Sequence, residues 1–197
     1  MSDLTTQLDE ARRRWDTLRH PFYQRWERGE LRPDELALYS GQYRHAVVAL
    51  ADLAATGGDT EHAREERRHV DLWDDFMAAC GGKAAEPLPE TRELVASLRA
   101  SAPGAQTDAV LYALEASQPA VSETKLAGLV GHYGFAADDP GTTYFRLHAE
   151  LDKEHAAEAA ERLSNVNGSE EAALRRAESA LQANWGLLDG VERALTA

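Results

Sequence analysis

Through most of its length this chain repeats apolar side chains at intervals of three and four, and few segments alternate as strands do. A period near 3.6 belongs to a helix that buries one stripe, whereas a period of two belongs to a half-buried strand. The pattern predicts an all-α protein whose helices bury their stripes against one another, a bundle of about seven. At 197 residues the chain is read as one domain, 1–197, with a sizeable core.

Glycine and proline set the expected boundaries. A first helix should run over residues 4–20 to the His20-Pro21 break, followed by a short segment over 22–26 that stops at Gly29. Pro33 opens the next helix, where its missing N–H does no harm, and Leu36, Tyr39, Tyr43, Val47, Leu50 and Leu53 (or Ala54) form its stripe up to Thr56-Gly57-Gly58. Asp59 or Thr60 caps a helix that ends at Gly81-Gly82. A shorter helix covers 90–100, and Ala102-Pro103-Gly104 breaks it. A long helix over 107–133 should kink beside Glu115, because Pro119 cannot donate to that residue's carbonyl. Pro140-Gly141 precedes a helix reaching Asn165, and Asn167-Gly168-Ser169 turns the chain into a last helix over 170–195.

The faces that should be buried are not wholly apolar. Tyr144, Leu147 and Leu151 flank a stripe carrying His148, Asp152 and His155 at i, i+4 and i+7, within about 60° of one another at roughly 100° per residue. Glu66 (or Glu65) and His69 lead a second stripe that continues through Leu72 or Trp73, Phe76 and Cys80. Glu115 interrupts a third, which continues through Gln118, Ser122, Lys125 and Leu129. Ionisable groups facing a core are costly unless something pairs with them. One solution is ion pairing within the protein, with Glu115 against Lys125, in a metal-free binding module. The other is metal: three carboxylates and three imidazoles projecting from facing helices suit two iron or manganese ions, with positions left for dioxygen. A single zinc would not use six ligands.

Charge narrows the field further. The formal net charge of −13 argues against a nucleic-acid surface, which needs clustered Lys and Arg. No apolar run approaches a membrane span and the first residues are polar, so the expectation is a cytoplasmic protein with no membrane partner. The only cysteine, Cys80, excludes an intrachain disulfide and reads as a packed thiol at a helix end.

Several motifs resemble a known family. His-Pro-Phe-Tyr-x-x-Trp-x-x-Gly-Glu-Leu from His20, Leu-Tyr-Ala-Leu-Glu-Ala-Ser-Gln-Pro from Leu111, His-Tyr-Gly-Phe from His132 and His-x-x-x-Asp-x-x-His from His148 resemble the haem-oxygenase-like diiron oxidases, over about residues 18–165. In order and wording they are most similar to the CADD-type para-aminobenzoate synthases, with the TenA thiaminases and PqqC more distant on the same fold. The resemblance implies metal ligands at Glu66, His69, Glu115, His148, Asp152 and His155. CADD-type sequences place the first glutamate two turns before the histidine, where this chain has His62; other members use Glu-x-x-His, which Glu66 satisfies, and Glu65 is the neighbouring alternative. It further implies that Tyr23 is the consumed source of the aminobenzoate ring, that Lys125 is its amino donor, and that the protein is a homodimer. Tyr39 and Tyr43 are further redox-active candidates or core residues.

The expected activity is oxidation with dioxygen at a site of two irons, or iron with manganese, fed by an external reductant. The substrate is the protein's own tyrosine or, alternatively, an external small molecule such as an amino acid or fatty acid. A TenA-like thiaminase is disfavoured, since no cysteine has the mid-helix setting that nucleophile needs.

Overall fold

The computed structural model describes residues 3–56, 60–164, 166 and 168–196. Among them are nine α-helices and two short 3-10 turns, and no strand. The helices are α1 Asp3–Arg14, α2 Pro21–Glu27, α3 Pro33–Ala54, α4 Thr60–Ala79, α5 Pro89–Arg99, α6 Ala105–Glu115, α7 Gln118–His132, α8 Thr143–Ser164 and α9 Glu170–Thr196. The expected Asp59 cap, the Gly57-Gly58 stop, and Asn165 and Asn167 lie outside the described residues; Thr60 begins α4.

Local chemistry explains the boundaries. His20 caps α2, its Nδ1 accepting from the Phe22 N–H at 3.1 Å, with Pro21 in the first turn. Glu35 accepts from the Arg32 N–H at 2.8 Å at the start of α3 and also holds Arg25 at 2.5 Å, tying α2 to α3. The stretch expected as one kinked helix over 107–133 is instead two, α6 and α7. Pro119 leaves the Glu115 carbonyl without its donor, and at the break Arg12 of α1 donates to the Ala116 carbonyl and, at 3.1 Å, to Ser117 Oγ. Glu115 thus becomes the last residue of α6.

The packed pairs are α3 with α4 and α5, α5 with α9, α6 with α8 and α9, and α7 and α4 with α8. Phe22, Tyr23, Trp26, Tyr39, Trp73 and Phe76 form a buried aromatic cluster where α2, α3 and α4 meet. Gly128 lets α7 approach it: a Cβ there would sit 2.5 Å from Trp26 Cδ1, and the Trp26 indole donates to the Lys125 carbonyl at 3.1 Å. Cys80 packs against the core, and burial pushes its thiol up to about 12, the behaviour of an inert packed thiol. Among the described residues, no helix is long and apolar enough to cross a membrane.

Candidate metal centre

The stripe of α8 carries His148, Asp152 and His155, as their spacing requires, and α4 carries the same spacing in His62, Glu66 and His69. The two stripes meet antiparallel. His69 faces His148 with ring centroids 4.5 Å apart, and His62 faces His155 at 4.1 Å. Glu115, at the broken end of α6, closes the cluster, with Oε1 3.2 Å from His62 Nε2. All seven residues are between 1% and 7% exposed.

Their donor atoms fall into two groups, Glu66 with His69 and His148, and His62 with Glu115 and His155; within each, the atoms lie no more than 4.8 Å apart. Two carboxylates link the groups. Asp152 has Oδ2 2.8 Å from His148 Nδ1 and Oδ1 3.7 Å from His155 Nδ1. Glu66 Oε1 lies 3.0 Å from His69 Nδ1 and 3.9 Å from His62 Nε2. Glu65 stands outside the cluster, half-exposed, and holds His155 Nε2 at 3.2 Å. It thereby fixes the ring, as carboxylates behind metal-bound histidines do. The six ligands expected from sequence come together here, with Glu66 inside and Glu65 behind. His62, the position matching the CADD-type first glutamate, joins the cluster as well; the signal for it in the sequence is the repeat of His-x-x-x-acid-x-x-His at 62–69 and 148–155.

The donor set fits metal on two counts. Glu115 Oε2, His148 Nε2, Asp152 Oδ1 and His155 Nδ1 are buried and make no hydrogen bond within the described residues. Each orphan of this kind costs about 1–3 kcal/mol, which coordination would recover. Each group is also a two-histidine, one-carboxylate set, a composition suited to non-haem iron. Burial opposes charge throughout the cluster, yet neighbours prevail at most positions. Asp152, Glu115 and Glu66 push His155 up to about 9, Asp152 chiefly raises His148, and Glu115 raises His62. Glu66 is held low by His69, and Asp152 by His148, against their burial. Burial does prevail at Glu115, which is raised despite His62.

Tyr23 and Lys125 lie together beside this cluster. Tyr144 connects the two regions, its ring 4.1 Å from that of His148 and 4.9 Å from that of Trp73. Lys125 Nζ sits 4.8 Å from the ring centre of Tyr43, 5.1 Å from Tyr23, 5.5 Å from Tyr39 and Phe145, and 5.6 Å from Trp73. No carboxylate within the described residues is at ion-pairing distance from it, so Glu115 is paired to His62 and not to Lys125. Burial lowers the amine to about 7. The Tyr23 and Tyr39 hydroxyls are 2.7 Å apart, and burial holds both phenols well above their ordinary range. A cavity of about 20 Å³ touches Tyr23 and Tyr43, and another of about 10 Å³ touches Glu66, Glu115, His148 and Asp152. They share Leu50, Leu114 and Gln118 as walls. Each has room for about one water.

A family model described as an iron-containing redox enzyme matches residues 57–185. The 4-aminobenzoate synthase of Chlamydia muridarum is 28% identical, the match covering 93% of this chain and 87% of the relative. The 4-aminobenzoate synthase of Nitrosomonas europaea is 29% identical, over 88% and 85%. Among solved structures, a domain of unknown function with a haem-oxygenase-like fold from Shewanella denitrificans superposes with a TM-score of 0.79 at 22% identity, covering all of this chain and 94% of that one. A TenA homolog from Pseudomonas syringae gives 0.79 at 20% identity, over 96% and 91%. The bundle is therefore haem-oxygenase-like, as the sequence motifs implied.

Proposed function

Since the chain belongs to the family of iron-containing redox enzymes, we propose that this oxidoreductase is a dimetal oxidase of the 4-aminobenzoate synthase type, using dioxygen and taking the ring of its product from its own Tyr23. Glu66, His69, Glu115, His148, Asp152 and His155 would hold two irons, or iron with manganese. When bound, such ions supply electrons and open coordination positions to dioxygen, and an external reductant restores them.

The observation that carries this reading is the position of Lys125, whose amine is held 5.1 Å from the centre of the Tyr23 ring, near a cluster of iron-type donors. The carbon skeleton of 4-aminobenzoate is a benzene ring with one attached carbon, which a tyrosine ring and its Cβ provide if the Cα–Cβ bond is broken and Cβ is oxidised. The remaining change replaces the phenolic oxygen by nitrogen. An amine with a pKa of about 7 is neutral in about half of the chains near neutral pH and so has a free lone pair, which an ordinary lysine lacks. Tyr39 offers a hydrogen-bonded hydroxyl through which Tyr23 can lose or regain a proton. The adjoining cavities, about 20 and 10 Å³, suit an internal substrate better than a free amino acid or fatty acid, which needs hundreds of Å³.

The test is aerobic incubation of ferrous-loaded protein with a reductant, measuring 4-aminobenzoate and the intact mass of the chain. At most one product per chain is expected, with the mass loss mapped to residue 23, and none from Tyr23→Phe. Product from Tyr23→Phe, or many turnovers without mass loss, would overturn the internal-substrate reading and assign an external one. Absence of metal-dependent oxygen uptake, with His148→Ala indistinguishable from the parent, would overturn the dimetal oxidase itself.

A further inference from the structure

We propose that His62 is itself a metal ligand, so that the centre has seven protein ligands, four of them imidazoles: two matched sets of two histidines and one carboxylate, with Asp152 between them; this rests on the dimetal reading above. The six ligands expected from sequence divide unevenly. Glu66, His69 and His148 make one complete two-histidine, one-carboxylate set, whereas Glu115 and His155 alone would leave the other with one nitrogen. His62 supplies the missing nitrogen: its ring stacks on His155 at 4.1 Å and its Nε2 is 3.2 Å from Glu115 Oε1, with the side chain 4% exposed.

The architecture explains why a histidine fits at that position. The α4 stripe His62, Glu66, His69 and the α8 stripe His148, Asp152, His155 have identical spacing and opposite direction. An approximate two-fold relation between the helices, with His62 matching His148 and His69 matching His155, therefore makes the His62–His155 contact the counterpart of the His69–His148 contact. The middle acids, Glu66 and Asp152, each lie within 4 Å of a histidine of either group, so each would be available to either metal position. A neutral imidazole at 62 leaves the charge of the centre unchanged. Three carboxylates and four neutral imidazoles leave two divalent ions only partly neutralised, so each metal position keeps appetite for an anionic oxygen ligand.

Cobalt(II) titration of the metal-free protein, followed by visible ligand-field absorption and by metal analysis after desalting, tests the assignment. The parent protein should saturate at two equivalents and His62→Ala at one. His62→Glu should recover two, with bands shifted because oxygen replaces nitrogen. His62→Ala saturating at two equivalents with unchanged bands overturns the assignment of His62 while leaving the dimetal reading intact. A parent protein that saturates below two overturns the dimetal reading and this assignment with it. Should His62→Ala fail to fold by circular dichroism, His62→Glu decides: shifted bands support ligation and unchanged bands refute it.

Discussion

Lys125 is an amine surrounded by rings, and its protonation state should be readable as stability. Its pKa is about 7 in the folded chain and 10.5 when exposed. Below pH 7 both states hold the proton and stability is independent of this group; between about 7 and 10.5 only the unfolded chain holds it. Stability from this residue should then rise by about 1.4 kcal/mol per pH unit. His155 works in the opposite sense in metal-free protein, because a pKa of about 9 gives stability that is full below its ordinary value and lost as pH rises through 9. The two are separated by comparing Lys125→Met with the parent in urea melts at about pH 7 and pH 9. The variant should lack a rise of ~2 kcal/mol that the parent gains from the lysine; equal pH dependence in both proteins would refute the lowered pKa. Lys125 shows how far sequence carries at this scale. Its position ten residues after Glu115 marked it as a candidate, but either a carboxylate or an aromatic cage could have surrounded it. The cage is assembled from α2, α3, α4 and α8, which no local pattern reports.

At the scale of elements, periodicity and punctuation gave helix identity almost throughout, since an amphipathic stripe and a proline or glycine are local properties. The break at residues 116–117 was legible only as a kink. Pro119 announces a missing hydrogen bond, but whether the helix bends or parts depends on what can satisfy the freed groups, and here Arg12 arrives from α1, more than a hundred residues away. The orientation of α4 against α8 was equally illegible. A six-ligand set could be read from single stripes; the repeated spacing offers His62 as well, but that it joins the cluster depends on the stripe it faces. Gly128 supports the same region by admitting Trp26. Gly128→Val should force the two apart and cost about 1–3 kcal/mol of stability, read as a lower denaturant midpoint at unchanged slope; a neutral effect would show that α7 can retreat from the aromatic cluster freely.

The molecule as a whole is built around the side chain that the proposed reaction would remove. Tyr23 is 2% exposed and packs edge-on against Phe22, Trp26 and Tyr39, in a core shared by the helices. Cleaving its Cα–Cβ bond leaves a glycine-like residue in α2 and a void of aromatic size. Large-to-small truncation of buried aromatics costs about 3–5 kcal/mol, a substantial part of the 5–15 kcal/mol that domains possess. A chain that has reacted should therefore melt well below an unreacted one and be cut faster by a nonspecific protease, and equal melting temperatures before and after product release would contradict it. A protein that reacts in this way would be a reagent rather than a catalyst: its output would follow the rate at which ribosomes make it, and each used copy, loosened at its centre, would carry its own mark for disposal.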